Sequence, residues 1–105
     1  MSRGEGEPAE PPGGAGAVVR IFVICNKKGL HARAAAKFVQ TVEKFDAEVR
    51  VTRGAETVGG TSIMGLLMLA ASPGTSITVE ATGKEALDVI EALSALVSAR
   101  FGEDD

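Results

Sequence analysis

Two spacings of apolar residues take turns along this chain, and that alternation limits the folds open to it. Recurrence at every second residue belongs to a strand, and recurrence at three and four belongs to a helix. Residues 18–25, VVRIFVIC, are β-branched and mostly apolar, which predicts a first strand. Residues 32–44 carry Ala35, Phe38, Val39 and Val42 at helical spacing, with Arg33, Lys37, Gln40, Thr41 and Lys44 facing out. Residues 47–52 then alternate, with Ala47, Val49 and Val51 inward. A turn at 53–55 leads into a weak edge strand at 56–58. A short helix is expected over 63–71, capped by Thr61 or Ser62, and Ser72-Pro73-Gly74 is a turn. Residues 75–82 alternate again, with Ile77, Val79 and Ala81 on one face. Thr82-Gly83-Lys84-Glu85 matches a capping box for a last helix whose stripe is Ala86, Leu87, Ile90, Leu93, Leu96, Val97 and Phe101, with Gly102 as its stop. The order βαββαβα predicts an α+β open-faced β-sandwich: a four-stranded antiparallel sheet with helices on one face and the other face open.

That pattern occupies residues 18–102 of 105, one modest domain. Residues 1–17, rich in Gly, Pro, Glu and Ala, read as a disordered tail, and residues 103–105 as an acidic C-terminal end. A net charge of -3, no Trp, no Tyr and four Phe argue against nucleic-acid binding, which wants cations and stacking surfaces. The lone Cys25 excludes an internal disulfide, fits a reducing compartment and ends an apolar run, so it reads as a packed thiol. No segment is long and apolar enough to insert in a membrane, and no signal peptide is visible, so a cytoplasmic protein is expected. One His and one Cys give no metal cluster and no nucleophile–base pair, and no cofactor is implied.

The only histidine stands where strand gives way to helix, in Gly29-Leu30-His31-Ala32-Arg33. Gly29 supplies a turn, and Leu30 can staple onto the first helical turn. His31 then falls at or beside the N-cap, its imidazole among the unpaired backbone N–H groups of Ala32, Arg33 and Ala34, at the positive end of the helix dipole. Such a place suits a group that becomes an anion. Histidine ordinarily titrates near neutrality, so a bare ring nitrogen is available to attack phosphorus. Lys27, Lys28, Arg33 and Lys37 concentrate positive charge around it in a net acidic chain, although a solvated helix face is an alternative for Arg33 and the better reading of Lys37.

Residues 63–69, IMGLLML, are apolar on nearly every side. If Leu66 and Leu69 point inward, Ile63, Met64, Leu67 and Met68 are left outside, which marks a docking surface unless the helix lies deeper. A second bare stripe is expected on the open face of the first strand, at Ile21, Val23 and Cys25, for the tail or a second copy to cover.

Gly29-Leu30-His31-Ala32-Arg33 and Ser62-Ile63-Met64-Gly65-Leu66 together resemble the two signature regions of the HPr family, the histidine-containing phosphocarriers of the bacterial phosphoenolpyruvate-dependent phosphotransferase system. The resemblance implies a phosphocarrier rather than an enzyme with its own turnover. His31 would accept a phosphoryl group on Nδ1 from phosphorylated enzyme I and pass it to an enzyme IIA-type acceptor. Arg33 would pair with the phosphoryl oxygens, helped by the backbone of Ala32, Arg33 and Ala34. Ser62 matches the serine that an HPr kinase phosphorylates in some bacteria, and Lys37, Ile63, Met64 and Leu67 fall where the family docks its partners. The chain departs from the family pattern at Ala34, where proline is usual, and at Thr61, where many relatives have lysine. The branch, sugar or nitrogen-related, stays open.

Two readings from other classes compete. One is a small α+β regulatory module that binds a metabolite or protein, with Ser62 as its switch and His31 incidental. The other is an RNA-binding α+β domain, disfavoured by the missing sheet aromatics.

Overall fold

The computed structural model describes residues 17–103. The tail expected over residues 1–17 lies outside them but for Ala17, as do residues 104–105 of the acidic end. The elements are β1 (Val18–Val23), α1 (Ala32–Val42), β2 (Glu48–Arg53), β3 (Glu56–Gly59), α2 (Ile63–Met68), β4 (Ser76–Thr82) and α3 (Ala86–Ser98), followed by a 3-10 turn at Arg100–Gly102. The strands form one antiparallel sheet in the order β1-β4-β2-β3. The helices cover one face of it, as the alternation of spacings requires.

Register follows from burial. Phe22 pairs with Ile77 and Val49 with Ala81, and all four are buried. A slip of one residue would turn that set to solvent, so the inward faces specify the pairing. Above them, Ala34, Ala35, Phe38, Val39 and Val42 of α1 and Ala86, Val89, Ile90, Leu93 and Val97 of α3 close the core. On the open face the pairing of β2 with β3 includes a polar pair, with Thr52 Oγ1 bonded to Thr57 Oγ1 at 2.8 Å. Arg50 Nη2 lies 3.5 Å from Glu80 Oε1 on the same face.

Three local expectations fail. The capping box at 82–85 does not form: α3 begins at Ala86, and Glu85 Oε1 instead accepts the backbone N–H of Asp46 at 2.6 Å. With the helix phased from Ala86, Leu87 is 55% exposed and Val89 takes its place in the core. Cys25 is exposed rather than packed, and it lies beyond the end of β1 at Val23, its thiol donating to Val97 O at 3.3 Å. The exposed apolar residues of β1 are Val19, Ile21 and Val23.

Candidate functional site

The site begins in the loop between β1 and α1. Gly29 sits at φ +69, a conformation that costs L side chains energy, and the chain passes close under residues 71–73 there. Leu30 N–H donates to Ala71 O at 2.9 Å and buries its side chain, which ties the entry of α1 to the segment following α2.

His31 is the N-cap of α1, in extended conformation at φ -86 and ψ -177. Its Nδ1 accepts the backbone N–H of Arg33 at 3.3 Å, and the first ladder bond of the helix comes one turn later, from Ala35 N to His31 O at 2.8 Å. The amides of Ala32 and Ala34 also precede that ladder, in the first turn of α1. No acidic side chain occupies the first turn to neutralise the positive end of the helix. The side chain of His31 is 27% exposed, and Arg33 is exposed with its guanidinium outside every ion pair of the described residues.

The other ring nitrogen, Nε2, meets Oε2 of Glu103. The sequence reading placed Glu103 in the acidic end, and the structure draws it into the domain instead. Asn26, wholly buried, donates through Nδ2 to Glu103 Oε1 at 3.0 Å and to Gly29 O at 2.8 Å. Neither residue carried a sequence signal. Asn26 looks like any loop asparagine, and Glu103 lies beyond the last helix, 72 positions from His31.

Lys37 is half-buried rather than a fully solvated helix-face residue: its Nζ donates to Phe101 O at 2.6 Å and holds the turn after α3. Ser62 caps α2, its Oγ accepting the N–H of Gly65 at 3.0 Å. A Cβ on Gly65 would come within 2.9 Å of the Val58 side chain, so glycine there lets α2 lie close on β3. Leu66 and Leu69 point inward, while Ile63, Met64 and Met68 are 40%, 69% and 70% exposed and Leu67 is half-buried. The docking face anticipated for the short helix is therefore bare apolar surface.

Among the described residues no group of three His, Cys, Asp or Glu could hold a metal ion, and no helix is long and apolar enough to cross a membrane. What the site offers is a ring nitrogen that accepts a helix N–H at the start of α1, two residues before an exposed arginine outside any ion pair of the described residues. Residues 18–99 match the family model described as "PTS HPr component phosphorylation site".

The chain belongs to the HPr family.

Its relatives agree. It is 49% identical over 82 residues to a phosphocarrier protein HPr of Neisseria meningitidis, covering 78% of this chain and 92% of that protein. It is 43% identical over 84 residues to a phosphocarrier protein NPr of Shewanella violacea, covering 80% and 92%. The crystal structure of HPr from Thermoanaerobacter tengcongensis superposes with a TM-score of 0.80 at 39% identity, over 84% of this chain and 99% of that one. This HPr-family chain is thus a phosphocarrier of the phosphotransferase system, with the open-faced sandwich of its relatives.

Proposed function

We propose that this protein carries the phosphoryl group on Nδ1 of His31, taking it from phosphorylated enzyme I and handing it to an enzyme IIA-type acceptor in the cytoplasm. The observation that carries the reading is the orientation of the ring: Nδ1 accepts a helix N–H and Nε2 meets a carboxylate, so Nδ1 is the nitrogen with a lone pair to offer. Transfer forms the Nδ1–P bond as the bond between phosphorus and the donor nitrogen breaks. Three equatorial oxygens gain charge in the passage, and the amides of Ala32, Arg33 and Ala34 with the Arg33 guanidinium are the groups at hand to meet it. Partners dock on the apolar face of Ile63, Met64 and Leu67, guided by positive charge at Lys28 and Arg33. Lys37, committed to the C-terminal turn, is left out of that surface.

Ser62 is the proposed regulatory position, for an HPr kinase. A phosphate there adds about two negative charges in the midst of the docking face, disfavouring apolar partners. Incubation with phosphoenolpyruvate and enzyme I is expected to give an acid-labile, hydroxylamine-sensitive modification that disappears in His31→Ala; a label retained in that variant refutes the assignment. Purified acceptors of the sugar and nitrogen types, each offered the phosphorylated chain, identify the branch by which one drains the label.

A further inference from the structure

Phosphoryl chemistry at Nδ1 needs that nitrogen bare and facing the helix, and the chain holds more apparatus around the opposite nitrogen than a surface histidine requires. The apparatus begins where α3 ends. Arg100 and Phe101 both adopt φ 56, a left-handed conformation that non-glycine residues visit at a cost. Three contacts hold them there: Phe101 is completely buried, Lys37 Nζ donates to its carbonyl at 2.6 Å, and Glu103 N–H closes the turn on Arg100 O at 3.0 Å. The product of this strained turn is the placement of one carboxylate. Glu103, 13% exposed at its side chain, divides its oxygens between Asn26 Nδ2 and His31 Nε2.

Asn26 shows what the arrangement is for. Both partners of its amide, Gly29 O and the Glu103 carboxylate, are acceptors, so the nitrogen must face them and Oδ1 must face away. Oδ1 is buried without a partner, a penalty tolerated for the sake of the two bonds on the other side.

We propose that Glu103, set by Asn26 and the C-terminal turn, is a positioning residue that fixes His31 in the Nε2–H form and leaves the Nδ1 lone pair at the start of α1 as the nucleophile. The inference rests on the phosphocarrier reading given above. A carboxylate accepts and cannot donate, so the ring nitrogen facing it must carry the proton. The Arg33 N–H favours the same form, but at 3.3 Å it lies at the long edge of hydrogen bonding and selects weakly. During transfer the Nε2 proton stays in place. As Nδ1 bonds phosphorus the ring takes up the positive charge, which Glu103 faces. The buried Asn26 contact keeps the carboxylate from swinging away at that moment.

The single histidine makes the test direct, since the imidazole 15N spectrum of the full chain holds one pair of ring nitrogens. In its neutral form the wild-type ring is expected to show Nε2 protonated and Nδ1 bare. Glu103→Gln preserves shape but can donate as well as accept, so its spectrum is expected to shift toward a mixture of both forms. Phosphorylation by enzyme I is expected to slow by roughly 10- to 100-fold in kcat with KM unchanged, because the docking face is untouched. Glu103→Asp is expected to recover part of the rate, and Asn26→Ala to fall between the wild type and Glu103→Gln. A Glu103→Gln spectrum identical to wild type overturns the proposal, and so does a shifted spectrum with an unchanged rate. The tautomer measurement uses no phosphoryl donor. It therefore judges Glu103 even if His31 proves not to be the phosphoryl acceptor, the outcome that would sink the parent reading alone.

Discussion

Replacing Gly29 with alanine strikes the loop that delivers His31 in two separable ways. The first is conformational: at φ +69 an alanine sits in the left-handed region, which costs about 1 kcal/mol. The second is a collision. The new Cβ would stand 2.6 Å from Ala71 O, 3.1 Å from Ser72 Cα and 3.3 Å from Pro73 Cδ. The nearest of these is a backbone oxygen, so no side-chain rotation relieves the contact. Relief means moving residues 71–73 away, and Ala71 O is the acceptor for Leu30 N–H. Loosening that bond beside the buried Leu30 adds about 2 kcal/mol, the cost of leaving a buried donor poorly satisfied. Together the loss is about 3 kcal/mol, or roughly 12–24 °C in Tm for a domain of this size. Gly54→Ala is the internal control. Its φ is +62, but an added Cβ there meets nothing within 4 Å, so only the conformational part applies, about 1 kcal/mol. Urea unfolding followed by far-UV circular dichroism is the assay, because a chain without Trp or Tyr gives little fluorescence signal. The two variants should differ by about 2 kcal/mol. Equal losses would refute the claim that packing against residues 71–73, rather than backbone conformation alone, is what reserves position 29 for glycine.

Phe101→Ala empties a completely buried site and is expected to cost about 3–5 kcal/mol by the same unfolding assay, and to free Glu103 from His31 as seen in the ring 15N shifts. Ser62→Ala removes the cap of α2 and is expected to cost about 1 kcal/mol, while Thr61→Ala, at an exposed neighbour outside the cap, should cost almost nothing. Ala34→Pro removes an amide that precedes the helix ladder, so folding should survive. One fewer donor then remains near the phosphoryl group, and a several-fold shorter phosphohistidine half-life is expected; an unchanged half-life counts against any role for that amide.

Much of this protein was legible in its chain because the signals were local. Ile77, Val79 and Ala81 face the core since every second residue of a strand must share a side, and the structure buries all three. The same holds for Phe38 and Val42 on α1 and for the division of α2 into Leu66 and Leu69 inside and Met64 and Met68 outside. The capping roles of His31 and Ser62 were equally readable, since a cap bonds within three residues of itself. The misses share the opposite property. Glu85 was a local box partner on paper, yet its carboxylate went to Asp46, 39 positions away. Lys37 looked like helix surface until the turn after α3 brought a carbonyl to it from 64 positions away.

The amino-acid order by itself therefore settled the elements, most of their inward faces, and the presence of one imidazole at a helix start, because periodicity and capping act over a few residues. Only the tertiary structure decided which groups surround that ring. Glu103 meets both His31 and Asn26 because the end of the chain, bent by a buried Phe101 and a lysine contact, returns to the loop before α1. The meeting of chain segments so far apart is governed by packing of the whole core, and no short stretch of residues records it.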